Sequence, residues 1–245
     1  RMDPEVPLVV PEVNPQAILK HKGIIANPNC STIIMVMALK PIYDLAKIKR
    51  VIVSTYQAVS GAGKEGIDEL DAQVREHSEG REMTANILPS ASAEKHYPIA
   101  FNLIPQIDVF CDNLYTKEEM KMVNETKKIM EDYEMRITAT TIRVPVYRSH
   151  SESVNIELEK EVDLGAMREA LAKFPGVTVQ DDPSKQEYPM PLYTSEKDDV
   201  YVGRLRRDES CEKSYNMWVV GDQIRKGAAL NTLQIAETMI KNGWI

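Results

Sequence analysis

Cysteine is scarce in this sequence: Cys30, Cys111 and Cys211 are the only three in 245 residues. They are too few and too scattered for a disulfide framework or a zinc-ligand pattern, so a reducing, cytoplasmic setting is expected. No apolar run approaches the ~20 residues of a membrane span. No signal peptide is visible, so the formal glycosylation sequons Asn29-Cys30-Ser31 and Asn124-Glu125-Thr126 are set aside. A long basic stretch is also missing, and with a net charge of -7 there is no electrostatic footprint for nucleic acid. A small anionic substrate must then be held by individually placed Arg and Lys. Internal repeats and low-complexity tracts are absent. The opening Arg1-Met2-Asp3-Pro4 has neither an initiator Met nor a targeting stretch, and reads as part of something longer.

What is present is a globular composition, 43% hydrophobic and 27% charged, enough for one large core or two modest ones. Leu8 to Val10 and Gly23 to Ala26 read as short strands, and Asn27-Pro28-Asn29 as a turn. Residues 30 to 40 form an expected helix, apolar nearly all round and therefore buried, which Pro41 should end or kink. Residues 50 to 59 alternate, with Val51, Val53, Thr55, Gln57 and Val59 on one strand face. A polar helix is expected over 64 to 77, and another over 117 to 131 with Met120, Val123 and Met130 at helical spacing. Further strands fall at 136 to 146, 152 to 158, 199 to 206 and 215 to 220, with helices at 163 to 173 and 226 to 241. The Pro-rich stretch 181 to 198 reads as a long connection of the lid or contact-arm kind. Mixed strands and helices with several adjacent strands give an α+β, mixed-sheet class.

Cys30 follows a Pro-Asn turn at the first turn of the buried helix, where unpaired N–H groups and the helix dipole favour a thiolate. The plainer reading is a small buried side chain, but two amides before it and two hydroxyls after it suit a substrate oxygen better than packing. His150, one of four histidines, follows an apolar strand and is the best proton carrier; otherwise it is a loop histidine bonded to backbone. Arg143 lies on the strand face that should be buried, and a buried Arg needs an anion. Seven residues separate it from His150, so an unbroken strand would point the two apart; a break at Pro145 or a bulge beyond it is expected to reunite them. Gln57 among valines needs hydrogen-bond partners, and a structural bond would suffice. Glu118 and Lys121, three apart on one helix, read most simply as an exposed ion pair worth little. Gly61-Ala62-Gly63-Lys64 is not a phosphate loop, because Ala58 and Glu65 stand where that motif needs Gly and Ser or Thr.

Seven stretches in order resemble the aspartate-semialdehyde dehydrogenase family: Val9 to Asn14, Asn27 to Thr32, Ser54 to Gly63, Phe101 to Asp108, Tyr115 to Lys121, Arg143-Val144-Pro145 with His150 to Ser153, and Met217 to Val220. The resemblance implies NADP-dependent reductive dephosphorylation of L-aspartyl-4-phosphate to L-aspartate-4-semialdehyde, a step towards lysine, threonine and methionine. It implies Cys30 as nucleophile, Gln57 as its orienting partner and His150 as general acid and base. Arg143 would grip the substrate α-carboxylate and Glu118 its amine, with Lys121, Asn29 and Arg1 at the phosphate and Ser60, Gly61 and Gly63 at the cofactor. A homodimer or homotetramer through the sheet is implied, with no metal.

Members of that family begin with a βαβ unit bearing a Gly-rich dinucleotide loop, and no such loop occurs in these residues. The expected division is therefore 1–27 as the tail of a dinucleotide-binding domain, 28–225 as the catalytic and dimerisation domain, and 226–245 as a helix returning to the first. That helix should expose Leu230, Leu233 and Ile240. Three other readings stay open: an N-acetyl-glutamyl-phosphate reductase, which would have no use for Glu118; an inert dimerisation module with Cys30 buried; and a thiol hydrolase needing no cofactor.

Overall fold

The computed structural model describes residues 1–245. Its centre is a six-stranded sheet in the order β2-β1-β3-β6-β5-β4, built from β1 (Ile48–Gln57), β2 (Arg136–Arg143), β3 (His150–Leu158), β4 (Val177–Val179), β5 (Val200–Arg207) and β6 (Ser214–Gly221). β1 runs parallel to β2 and β4 to β5, while the β1-β3, β3-β6 and β6-β5 pairs are antiparallel. Alternation puts Val51, Val53, Val154, Ile156 and Met217 on one face, which is covered by α1 (Cys30–Leu45), α3 (Lys117–Ile129) and α4 (Leu164–Lys173) through one continuous apolar core. α2 (Lys64–Ser78) lies outside that layer over its own small cluster around Val59, Leu70 and Ile99. The opposite sheet face carries none of these helices and presents half-buried Tyr56 and Trp218, with ring centroids 5.4 Å apart, beside exposed Ser153.

α1 is the keystone of the core. Ile33, Ile34, Met35, Val36, Met37, Leu39 and Ile42 are all fully buried, each contributing on the order of 1.5–3 kcal/mol. The expectation that Pro41 ends or bends this helix fails: α1 continues to Leu45. Pro41 cannot bond the carbonyl one turn back, but its ring is buried, and apolar packing on both sides of the missing bond holds the last turn.

Other expectations need correction. Leu8 to Val10 and Gly23 to Ala26 are not strands of the sheet; they meet only in a parallel Leu8–Ala26 bridge, because Pro7 and Pro11 remove the donors a longer ladder requires. β2 stops at Arg143 rather than 146. On α3 the buried positions are Glu118, Glu119, Met122, Glu125, Thr126 and Ile129, while Met120, Val123 and Met130 are only half-buried. A polar face can turn inward there because backbone and amide groups meet its carboxylates. β4 went unforeseen, being three residues at a sheet edge. The 181 to 198 connection holds a 3-10 turn (Pro183–Lys185) and one helical turn, α5 (Pro191–Thr194). It is an arm fastened to the sheet by Trp218 Nε1 donating to Pro189 O (3.1 Å) and Thr194 Oγ1 donating to Ser149 Oγ (3.0 Å).

The chain's end enters through a π-helical turn (Arg225–Ala229) into α6 (Leu230–Lys241). α6 packs on residues 1 to 27 in a separate cluster of Val9, Ala17, Ile18 and Ile235. Leu233 and Ile240 are exposed as expected, whereas Leu230 is half-buried.

One buried group is at odds with its surroundings. Glu152 on β3 shares the helix-covered face with Val154 and Ile156, is 0% exposed, and neither carboxylate oxygen has a partner. Burial pushes its pKa well above the ordinary carboxylate range. The folded chain therefore keeps a proton that the unfolded chain loses above about pH 4.5. Stability from this group is complete below that pH and falls as pH rises towards the folded pKa, by up to about 1.4 kcal/mol per pH unit. Glu152→Gln removes the dependence, so its melting temperature should gain on the parent's steadily from pH 5 to pH 8. A difference that stays constant over that range would show the carboxyl to be ionised in the fold.

Candidate active site

The site forms where the N-terminus of α1 meets the ends of β1 and β2. Asn29 caps α1, its Oδ1 accepting from Thr32 N–H at 3.1 Å. Its own backbone N–H donates to Glu125 Oε2 (2.6 Å) and its Nδ2 to Glu118 Oε1 (2.8 Å). Glu118 also accepts from Gln57 Nε2 at 3.3 Å and from Lys121 Nζ at 3.3 Å, and Lys121 reaches Asp108 at 3.0 Å. The simple reading of Glu118 and Lys121 as an exposed pair is thus overturned: Glu118 is 6% exposed and joins three elements. Gln57 is held by Glu118 and by Thr55 Oγ1 (3.3 Å) rather than by the cysteine.

The break between β2 and β3 is real. Residues 144 to 147 leave the ladder and lie along the turn after β1, with Val144 N–H on Gln57 O, Val59 N–H on Val146 O and Ser60 N–H on Tyr147 O. Ser149 then takes a left-handed φ of 71°, uncommon for a non-glycine residue, and the chain re-enters the sheet at His150. Arg143 and His150 consequently face the same place. A Cβ built on Gly61 would fall 2.7 Å from the Arg143 guanidinium and 3.2 Å from the His150 ring, so glycine lets this turn pack directly against both groups. Arg143, 3% exposed, donates to Ala58 O at 2.7 Å and leaves its Nε unpartnered. Burial lowers its pKa while the charges of Cys30 and Glu118 raise it.

Cys30 Sγ lies 3.5 Å from His150 Nε2, and His150 Nδ1 accepts the Ala58 N–H at 3.0 Å. An amide N–H can only donate, so Nδ1 keeps its lone pair and the neutral ring carries its proton on Nε2, aimed at the sulfur. Burial first, then Arg143, hold the His150 pKa well below its ordinary value, so the neutral form prevails. The cysteine departs from expectation. Its side chain keeps partial contact with the cleft, yet close packing, followed by the Glu118 charge, pushes the thiol up to about 12 against the pull of Arg143 and Ser31. In the ligand-free site Cys30 is a thiol: desolvation outweighs the helix N-terminus.

Cys30 opens on a cleft of about 360 Å³ that also takes in Arg1, Asn29, Ser60, Gly61 and Lys121. Arg1 is half-exposed and pairs with Glu125 at 3.3 Å. Gly63 lies apart, with nothing near it; it uses a φ of 85° to start α2. Sequence reasoning missed Glu125 and Gln223. Glu125 was detectable, since Glu118, Met122, Glu125 and Ile129 form a helical stripe with acids in place of apolar residues. Gln223 gave no local signal, yet it is buried on the cleft wall, accepts the Ser149 N–H at 2.9 Å and bonds Ser60 Oγ.

The mixed sheet is of the semialdehyde dehydrogenase class: residues 39–226 match the family described as semialdehyde dehydrogenase, dimerisation domain. Cys30 stands ahead of that span. The chain is 56% identical over 247 aligned positions to the aspartate-semialdehyde dehydrogenase of Aquifex aeolicus, covering 100% of this chain and 71% of the relative. It is 52% identical over 242 positions to that of Bacillus subtilis, covering 98% and 70%. The crystal structure of Vibrio cholerae aspartate semialdehyde dehydrogenase II complexed with ASA superposes with a TM-score of 0.92 at 46% identity, covering 98% of this chain and 69% of that one. This chain belongs to the aspartate-semialdehyde dehydrogenase family, and it spans about 70% of the length of these relatives.

A thiol held up to about 12 in the empty cleft has a kinetic signature. Iodoacetamide alkylation at Cys30 should still be accelerating between pH 8 and pH 10 in ligand-free protein. A rate already level at pH 7 would mean a preformed thiolate.

Proposed function

We propose that this chain supplies the substrate-activating machinery for NADP-dependent reductive dephosphorylation of L-aspartyl-4-phosphate to L-aspartate-4-semialdehyde. The observation that carries the reading is that Cys30, at the edge of the cleft, has His150 Nε2 at 3.5 Å, and that His150 and a buried Arg143 with an unpartnered Nε both pack against Gly61 of the cleft wall. Sulfur adds to the acyl carbon, the carbon–oxygen bond to phosphate breaks, the thiol proton leaves with the departing phosphate, and a Cys30 thioester remains. Nε2–H of His150 and the N–H groups at the start of α1 are placed to bond the oxyanion that develops during this addition. The resting tautomer makes His150 a donor first; its role as base requires that it has already given up the Nε2 proton.

Arg143 suits the substrate α-carboxylate, since a buried guanidinium with a free Nε wants a planar anion. Glu118 suits the ammonium. A carboxylate offers about four acceptor directions, and Asn29, Gln57 and Lys121 use three. This spare acceptor favours a free amine over the acetylated one of the N-acetyl-glutamyl-phosphate rival. Lys121, Asn29 and Arg1 would hold the phosphate, with Arg1 and Lys121 only half-exposed.

Ser60 and Gly61 fit the reactive end of NADP, because both line the cleft on which Cys30 opens. When bound, the dinucleotide supplies the hydride that takes the thioester to the aldehyde level. The rest of its binding site falls to segments other than these. A homo-oligomer through the sheet face opposite α1 completes the reading; half-buried Tyr56 and Trp218 beside the α5 arm, with exposed Leu192 and Tyr193, suit such a contact. No helix is long and apolar enough to cross a membrane.

Two substitutions in the full-length protein test the proposal. Cys30→Ala should reduce turnover by at least a thousandfold at unchanged melting temperature. Arg143→Lys should chiefly raise KM for the amino-acid substrate, by tenfold or more, because an ammonium cannot make the forked contact. Turnover that survives in the alanine variant would remove Cys30 as the nucleophile.

A further inference from the structure

One wall of the Cys30 cleft is made by the turn between β6 and α6, and its geometry is unusual. Residues Arg225–Ala229 form a π turn, a helical irregularity that is rare outside functional sites. Within it Gly227 is buried, and its φ is not among the positive ones. Glycine in a helical conformation costs about 1 kcal/mol relative to alanine, so the backbone gains nothing from glycine here. The reason is contact: a Cβ on Gly227 would lie 3.1 Å from Cys30 Cβ and 3.4 Å from Cys30 Cα, nearer than carbon atoms normally approach. The wall is thus pressed on the nucleophile's own carbon.

What holds the wall there is Lys226. This side chain is 1% exposed, and its ammonium donates to Glu12 Oε2 (2.5 Å), Gln234 Oε1 (2.7 Å) and Asn231 Oδ1 (3.1 Å), so all three protons are placed. Asn231 in turn donates to Val9 O (3.0 Å) and Asn27 Oδ1 (2.7 Å), which lies three residues before Cys30. The π turn is therefore anchored to the strand-like segment and the turn that deliver Cys30. Asp222 fastens its other end, accepting the N–H groups of Ile224 at 2.9 Å and Arg225 at 3.1 Å.

We propose that the π turn, locked by Lys226, is a positioning device in which Gly227 braces Cys30 and thereby fixes Sγ against His150 Nε2. The proposal rests on Cys30 being the nucleophile. An α-helical register would not set Lys226 inward and Gly227 against Cys30 together, which accounts for the extra residue in the turn. Gly227 and Lys226 touch no reacting atom; they act through the placement of sulfur.

The test uses Gly227→Ala and Lys226→Met in the full-length protein, with steady-state kinetics and iodoacetamide alkylation of Cys30 from pH 6 to pH 10. A methyl group at 227 must push sulfur or wall by a few tenths of an ångström. The expected result for Gly227→Ala is a fall in kcat of about tenfold, less than threefold change in KM, and a shifted pH profile of alkylation. Lys226→Met should change the same profile in the same direction, with a larger loss of thermal stability because Glu12 and Asn231 lose their shared partner. If Lys226→Met does not fold, Gly227→Ala alone decides. Superimposable alkylation profiles and unchanged kcat in Gly227→Ala overturn the proposal. Cys30→Ala in the same series separates the two ideas: if it is inactive while Gly227→Ala is silent, only the brace is wrong, whereas an active Cys30→Ala removes the nucleophile reading itself.

Discussion

The site depends on one buried carboxylate. Glu118 receives the cap amide of α1, the amide at the end of β1 and the ammonium of Lys121 on its own helix. A carboxylate with so little exposure is tolerable only if it is well hydrogen-bonded, so the three elements that satisfy it cannot drift independently. Because Asn29 immediately precedes Cys30, satisfying Glu118 also sets where the sulfur emerges. Glu125, two turns along α3, repeats the device by accepting the Asn29 N–H and pairing with Arg1. Much of the polar face of α3 is therefore spent on orienting the first turn of α1.

The electrostatics of the empty cleft follow from the same crowding. Arg143 favours a thiolate, but Glu118 and the loss of water oppose it, and the opposing effects win. His150 cannot relieve this by taking the sulfur's proton, because the Ala58 N–H has already committed its tautomer. An anionic substrate alters the balance in a definite way: its ammonium would neutralise Glu118, the largest charge acting against ionisation. Binding of the correct amine and activation of the nucleophile are in that sense one event, which gives the acid at position 118 a part in reactivity as well as recognition.

Much of this was legible in the residues, and the losses have physical causes. Strand alternation placed Gln57 and Arg143 on the buried face, and the seven-residue interval to His150 required the break that Ser149 and Pro145 provide. Helical periodicity found α1, α2, α4 and α6 to within a few residues, or, for α1, to the point where tertiary packing overrode a proline. What misled was the assumption that an inward helix face is apolar. On α3 it picked Met120 and Val123 over Glu118 and Glu125, because the partners that make those acids tolerable lie 61 to 96 residues away in the chain. The thiol's protonation state was misjudged for a similar reason: the helix N-terminus is a local signal, while desolvation is a property of the whole packed neighbourhood.

Glycines 61 and 227 show a kind of information that side-chain chemistry does not contain. Neither bears a functional group, yet a methyl at one would strike the guanidinium of Arg143 and at the other the carbon that bears sulfur. The first lets the turn after β1 pack against the side chains of Arg143 and His150; the second lets the locked turn pack against Cys30. Reactive residues such as Cys30 and His150 supply the bonds that change, but the distance between them is set by atoms that are missing from these two positions.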